Sequence, residues 1–149
     1  MKPKETIDFH IKSTWLGVAN LYNQIAQKHD LSQATGFVLL NIDEKEGTAA
    51  TKIAPIMGMR NTSLSRILKK MENEGLIIRK SDKNDRRSVM IHLTRRGKIK
   101  KQIAKEVVKK YNEFVLSHIT EEEKDCFFHV MEKIGELTEE YKIKNTSDE

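Results

Sequence analysis

Apolar positions recur at spacings of three and four from the start of the chain. Ile7, Ile11, Trp15, Val18, Tyr22 and Ile25 form one stripe, and Leu16, Ala19, Leu21 and Ala26 widen it. This predicts a helix over residues 6–29 that is buried on more than one side. Ser32 is an N-cap for a second helix, which carries Phe37, Val38, Leu40 and Ile42 inward and which Gly47 stops. The stretch "ATKIAPIM", residues 50–57, predicts a helix with Ile53, Ala54 and Met57 inward. Proline is tolerated only in a first turn, so Pro55 requires this helix to be short or to start late. Residues 62–74 place Leu64, Ile67, Leu68 and Met71 on one helical face, and Gly75 ends that helix.

The period then changes from helical to alternating. Strands are predicted near 76–80 and 88–93, with Val89, Ile91 and Leu93 on one face of the second and Met90 and His92 on the other. Thr94 caps a long helix running to about residue 117, with Ile99, Ile103, Ala104, Val107, Val108, Tyr111, Phe114 and Val115 inward. Thr120 and Glu123 have capping-box spacing at the start of a last helix, whose stripe is Phe127, Met131, Ile134, Leu137 and Tyr141. The polar tail, residues 144–149, is expected to be disordered.

The fold class that follows is mainly α with one small β-hairpin. The middle of the chain reads as compact. The first helix and the last two carry surplus apolar surface, which a symmetric dimer would bury. Residues 32–93 are therefore read as one domain, and residues 1–31 with 94–149 as a helical dimerisation module.

Composition narrows the setting. Apolar residues make up 38% of the 149 and charged residues 33%. No apolar run is long enough to cross a membrane, and no signal peptide is visible. The single cysteine, Cys126, excludes an internal disulfide framework and suits a reducing cytoplasm. Beside Phe127 and Phe128 it reads as a small buried hydrophobe.

Charge changes the picture more. Residues 60–110 hold 17 Lys/Arg against 5 Asp/Glu, a local +12 within a net +5, whereas residues 120–149 hold 4 Lys against 10 Asp/Glu. Such polarity points to a polyanionic partner on one side of the molecule. Residues 50–75 read as helix, glycine-containing turn and helix, a helix-turn-helix whose second helix enters a major groove. Opposite its inward face stand Thr62, Ser63, Ser65, Arg66, Lys69 and Lys70. Small hydroxyls allow close approach to phosphate, and an arginine can read a guanine edge bidentately. The hairpin that follows makes the unit a winged helix. Its tip, "SDKNDRRS", offers Lys83, Asn84, Arg86 and Arg87 to the backbone and the adjacent minor groove, where arginine is favoured.

These residues resemble a known family. The stretch "LKKMENEGLIIRKSDKNDRRSVMIHLTRRGK", residues 68–98, is similar to the signature of the multiple-antibiotic-resistance-regulator (MarR) family: "L..ME..GLI.R" at the end of the recognition helix, "D.RR" in the wing, and "LT..G" entering the next helix. The resemblance implies a homodimeric winged-helix regulator, usually a repressor, on a pseudo-palindromic operator in double-stranded DNA. It implies that Arg86 enters the minor groove, that Asp85 holds the wing arginines by charge-assisted hydrogen bonds, and that residues 62–70 face the major groove. Family members often release DNA when a small aromatic or amphipathic effector binds between the dimer module and the winged helix, for which Phe9, His10, Trp15, Phe37 and Tyr111 are the candidate contacts here. The departure from the family pattern is the proline of "IAPIM".

Other chemistries find little support. Cys126 and His129 at i, i+3 with His118 nearby do not make a metal site, and His10, His29 and His92 show no ligand spacing. There is no nucleophile elbow, phosphate loop, zincin motif or flavin fingerprint, so neither a cofactor nor an enzymatic activity is expected. "TEEEKD" is explained by the favourable placement of acids at a helix N-terminus. The alternative function is a winged-helix module that docks protein or RNA.

Overall fold

A computed structural model describes residues 2–81 and 88–146. Among them the order is α1 (Ile7–Gln27), α2 (Gln33–Leu40), β1 (Thr48–Ala49), α3 (Ala50–Ile56), α4 (Asn61–Asn73), β2 (Ile77–Ser81), β3 (Val89–Leu93), α5 (Arg95–Leu116) and α6 (Glu121–Thr146), after a short 3-10 turn at Pro3–Glu5. The fold is mainly α with a small antiparallel sheet of order β1-β3-β2. The chain divides into two compact units, Met1–Val108 and Lys109–Glu149.

Local chemistry sets most boundaries of the first unit. Ser32 caps α2, its hydroxyl accepting the Thr35 N–H at 3.0 Å. Helix α3 is seven residues long, with Pro55 in its last turn, where the ring removes the N–H that would bond the Thr51 carbonyl. Gly58 then takes φ +59°, with Met59 N–H donating to the Ala54 carbonyl (3.2 Å) and Gly58 N–H to that of Pro55 (3.1 Å). This is a Schellman closure. Helix α4 ends the same way at Gly75, φ +68°, with Leu76 N–H on the Met71 carbonyl and Gly75 N–H on that of Glu72. A single core gathers Val38, Leu39 and Ile42 from α2, Ile53 and Ala54 from α3, Leu64, Leu68 and Met71 from α4, and Leu76, Ile77, Ile91 and Leu93 from the hairpin.

Two local expectations are corrected here. Gly47 does not end α2, which stops at Leu40. Instead the Asp43 carboxylate accepts the N–H groups of Lys45 (2.8 Å) and Glu46 (2.7 Å), making a turn, and Gly47 at φ +74° leads into β1. In α2, Leu39 rather than Leu40 is fully buried. Strand β1 itself has no sequence signal: its two residues pair across to β3, Thr48 with Ile91 and Ala49 with Met90.

In the second unit the Thr120–Glu123 capping box forms in both directions, Thr120 N–H to Glu123 Oε2 (2.8 Å) and Glu123 N–H to Thr120 Oγ1 (3.2 Å). Helix α6 continues through Thr146, so Lys144 and Asn145, expected in a disordered tail, are helical. Cys126 is exposed, not buried, because it lies on a side of α6 that the chain leaves open, next to exposed Phe127 and Phe128. Ile99 and Phe114, expected inward on α5, are likewise exposed in the single chain.

Candidate nucleic-acid interface

Helix α4 is strongly two-faced. Leu64, Leu68 and Met71 are at most 2% exposed, while Thr62, Ser63, Ser65, Arg66, Lys69 and Lys70 are all exposed. Helical spacing produces both results: the apolar residues at i, i+4 and i+7 fix the rotation of the helix, and the intervening positions must face outward. Lys70 makes a long surface contact with Glu74 (3.8 Å). Among the described residues neither Arg66 nor Lys69 enters an ion pair. Both stand on the exposed face of the helix. At the N-terminus the Arg60 carbonyl accepts the N–H groups of Ser63 (3.0 Å) and Leu64 (3.1 Å), and no side chain caps this end. A helix start of this kind presents backbone donors to phosphate.

The hairpin is joined to α4 at its root. Arg79 Nε on β2 pairs with Glu72 on α4 at 3.2 Å. Strands β2 and β3 stay in register from Ile77 opposite Leu93 to Ser81 opposite Val89. The tip residues expected to touch DNA, Lys83, Asn84, Arg86 and Arg87, and the supporting Asp85, lie outside the described residues.

Thr94 ties three elements together. Its N–H donates to the Leu76 carbonyl (3.0 Å), its hydroxyl donates to the Gly75 carbonyl (2.6 Å), and it accepts the Gly97 N–H (3.0 Å). One residue thus caps α5 and holds the end of α4 and the base of β2. Gly97 permits the approach, since a Cβ there would stand 2.0 Å from the Leu76 carbonyl oxygen. The residues of "GL" and "LT..G" meet at this one point.

The effector candidates lie on three helices, α1, α2 and α5. Phe9 is half-buried on α1, edge-on to the exposed His10 with ring centroids 5.6 Å apart. His10 Nε2 bonds the Lys4 carbonyl (2.9 Å). Trp15 is 48% exposed, and Phe37 is half-buried on α2. Tyr111 belongs to the second unit. An open, apolar hollow of 480 Å³ lies elsewhere, on α6, lined by Glu122, Glu123, Cys126, Phe127, Val130 and Met131. Among the described residues no group of three or more His, Cys, Asp or Glu could hold a metal ion, and no helix is long and apolar enough to cross a membrane.

One feature escaped the pattern of the sequence. Lys101 is a buried cation on α5, on the same face as Gly97 and Ala104. The spacing i, i+4, i+7 from Gly97 was the available signal, but a lysine is ordinarily read as solvated.

A family model described as "MarR family" matches residues 31–89. The HTH-type transcriptional regulator SarZ of Staphylococcus aureus is 31% identical over 97 residues, which is 64% of this chain and 66% of SarZ, just under two thirds of that relative. Two of the solved structures that share the fold illustrate the likeness. One is a MarR family transcriptional regulator from Listeria monocytogenes complexed with 26mer DNA, at TM-score 0.79 and 24% identity, covering 91% of this chain and 89% of that one. The other is CouR from Rhodococcus jostii bound to p-coumaroyl-CoA, at TM-score 0.76 and 20% identity, covering 90% and 94%.

Proposed function

We propose, from the match of residues 31–89 to the MarR family model and the likeness to SarZ, that this MarR-family chain is a cytoplasmic transcriptional regulator that binds a pseudo-palindromic site in double-stranded DNA as a homodimer and represses by occupying promoter DNA. The observation that carries this reading is α4: a helix locked by its apolar face into the core, with Arg66, Lys69 and small hydroxyls on the opposite, open face. Thr62, Ser63, Ser65, Arg66, Lys69 and Lys70 would contact the major groove. Lys83, Asn84, Arg86 and Arg87 would follow the wing onto backbone and minor groove, with Asp85 as support. The Listeria neighbour's complex with DNA supports the same use of a shared fold.

Dimerisation is supported by apolar side chains left open on the single chain. Helix α1 has no buried residue and exposes Ile7, Trp15 and Leu16. Helix α6 exposes Phe127, Val130, Leu137 and Tyr141. Exposed apolar side chains gathered on one element are a mark of association surfaces. Effector release is part of this proposal: a small aromatic or amphipathic molecule, with Phe9, His10, Trp15, Phe37 and Tyr111 as its candidate contacts, would bind the form that does not hold DNA, a reading supported by the p-coumaroyl-CoA complex of the similarly folded CouR.

The test is selection of duplexes from fragmented genomic DNA of the source organism with purified protein. A shared inverted repeat should be enriched. Recovery of fragments with no common site would refute sequence-selective binding.

A further inference from the structure

Lys101 is 6% exposed, and its ammonium donates to the Ile42 carbonyl oxygen at 2.5 Å, just past the end of α2. It stands 3.9 Å from the Glu44 carboxylate, which Lys105, one turn along α5, reaches at 3.1 Å. Lys100 donates to the His29 carbonyl. Three neighbouring lysines thus fasten α5 to the turn that follows α1 and to the segment that follows α2. Burial holds the Lys101 ammonium below the usual lysine range, with Lys105 repelling it and Glu44 and Asp43 opposing that shift. A buried cation is a costly way to fill space, since an apolar chain of similar volume packs as well.

The contact does not end at α2. Residues 43–46 form the turn built on the Asp43 carboxylate, and the Asp43 N–H donates to Thr48 Oγ1 at 2.9 Å. Thr48 pairs with Ile91 on β3, the second strand of the wing. Gly47 presses the same turn onto that strand: a Cβ there would meet the His92 ring and the Ile91 carbonyl oxygen at 2.7 and 2.8 Å. A continuous path of hydrogen bonds and close contacts therefore runs from α5 through the Asp43 turn to β3.

We propose that Lys101 is a positioning residue for DNA binding: by holding the Asp43 turn against α5 it fixes the placement of β1 and β3, and with them the wing, beside α4. The proposal rests on the DNA-binding reading given above. It assigns Lys101 no contact with DNA. A packed network of this kind modulates function from a distance when one link is cut.

The test compares Lys101→Met, which keeps the length and loses the donor, with wild type in the full-length chain. Amide hydrogen exchange should accelerate at Thr48, Ile91 and His92. Affinity for a selected duplex should fall about three- to thirtyfold, while the base preference set by α4 stays the same. A lower unfolding midpoint with unchanged exchange and unchanged affinity of the folded protein would overturn the proposal. Should the Met variant fail to fold, Thr48→Val cuts the next link and should reproduce the faster exchange in β3 and the weaker binding; no change in either would also overturn it. If wild type prefers no duplex, the DNA-binding reading fails, and the exchange measurement still decides the link from α5 to β3.

Discussion

At Gly97 a methyl group would sit 2.0 Å from the Leu76 carbonyl oxygen, and backbone cannot swing aside as a flexible side chain can. Gly97→Ala should therefore force α5 away from the base of β2, destabilising the protein by about 1–3 kcal/mol or more. For a chain of this size that lowers the unfolding midpoint by roughly 2–4 °C per kcal/mol. Gly75 is a different case. It has open space around its Cβ position but φ +68°, so Gly75→Ala meets only the left-handed backbone cost of about 1–2 kcal/mol. Thermal melts of the two variants separate contact from conformation. In Gly97→Ala the Thr94 bonds should also loosen, visible as faster exchange of the Thr94 amide. If Gly97→Ala leaves the midpoint unchanged, the close approach of α5 to β2 is wrong.

Elements whose signals are local were legible in the sequence. Ser32, the Thr120–Glu123 box, Gly75 and the alternation of residues 89–93 each act within a few residues, and each marks its boundary. The wing was legible as a hairpin for the same reason. Strand β1 was not, because Thr48 and Ala49 become a strand only by pairing with Ile91 and Met90, more than forty residues away in sequence. Gly47 reads as a helix end in the sequence because the actual turn depends on a carboxylate, Asp43, that can as easily be solvated. The exposed face of α4 was legible because its buried face has a clear period; Lys101 was hidden because its partner carbonyl, Ile42, comes from a distant segment. The Asp43 turn also carries a pH dependence. Backbone N–H groups of Glu46 and Lys45 hold the Asp43 carboxyl below the usual carboxylate range. A depressed carboxylate adds stability that is present at neutral pH and lost as pH falls through the depressed value. In urea titrations wild type should exceed Asp43→Ala at pH 7, with the gap closing below the usual carboxylate range. A gap that persists to pH 2 would contradict the turn's electrostatic origin.

At the scale of the molecule, charge is unevenly distributed along the chain. The basic segment contains α4, the wing and the start of α5, while α6 carries acids and open apolar side chains. In the proposed dimer Leu137, 51% exposed on α6, becomes an interface residue. Leu137→Glu would bury an unpaired charge there, at a cost of about 3–5 kcal/mol, which raises the dimer dissociation constant at least about a hundredfold. Sedimentation at micromolar concentration should show a dimer for wild type and a shift to monomer for the variant; a wild-type monomer would remove the dimer from the account. DNA affinity should fall linearly with salt on logarithmic axes, as cations release counterions from phosphate. The central claim is that the open face of α4 reads base sequence, and Arg66→Ala tests it most directly. Binding of wild type and variant to a library of single-base changes in the selected duplex should show a preference worth ~1–3 kcal/mol lost at one position in each half-site, with other positions and the salt slope little altered. An unchanged preference at every position would contradict the claim.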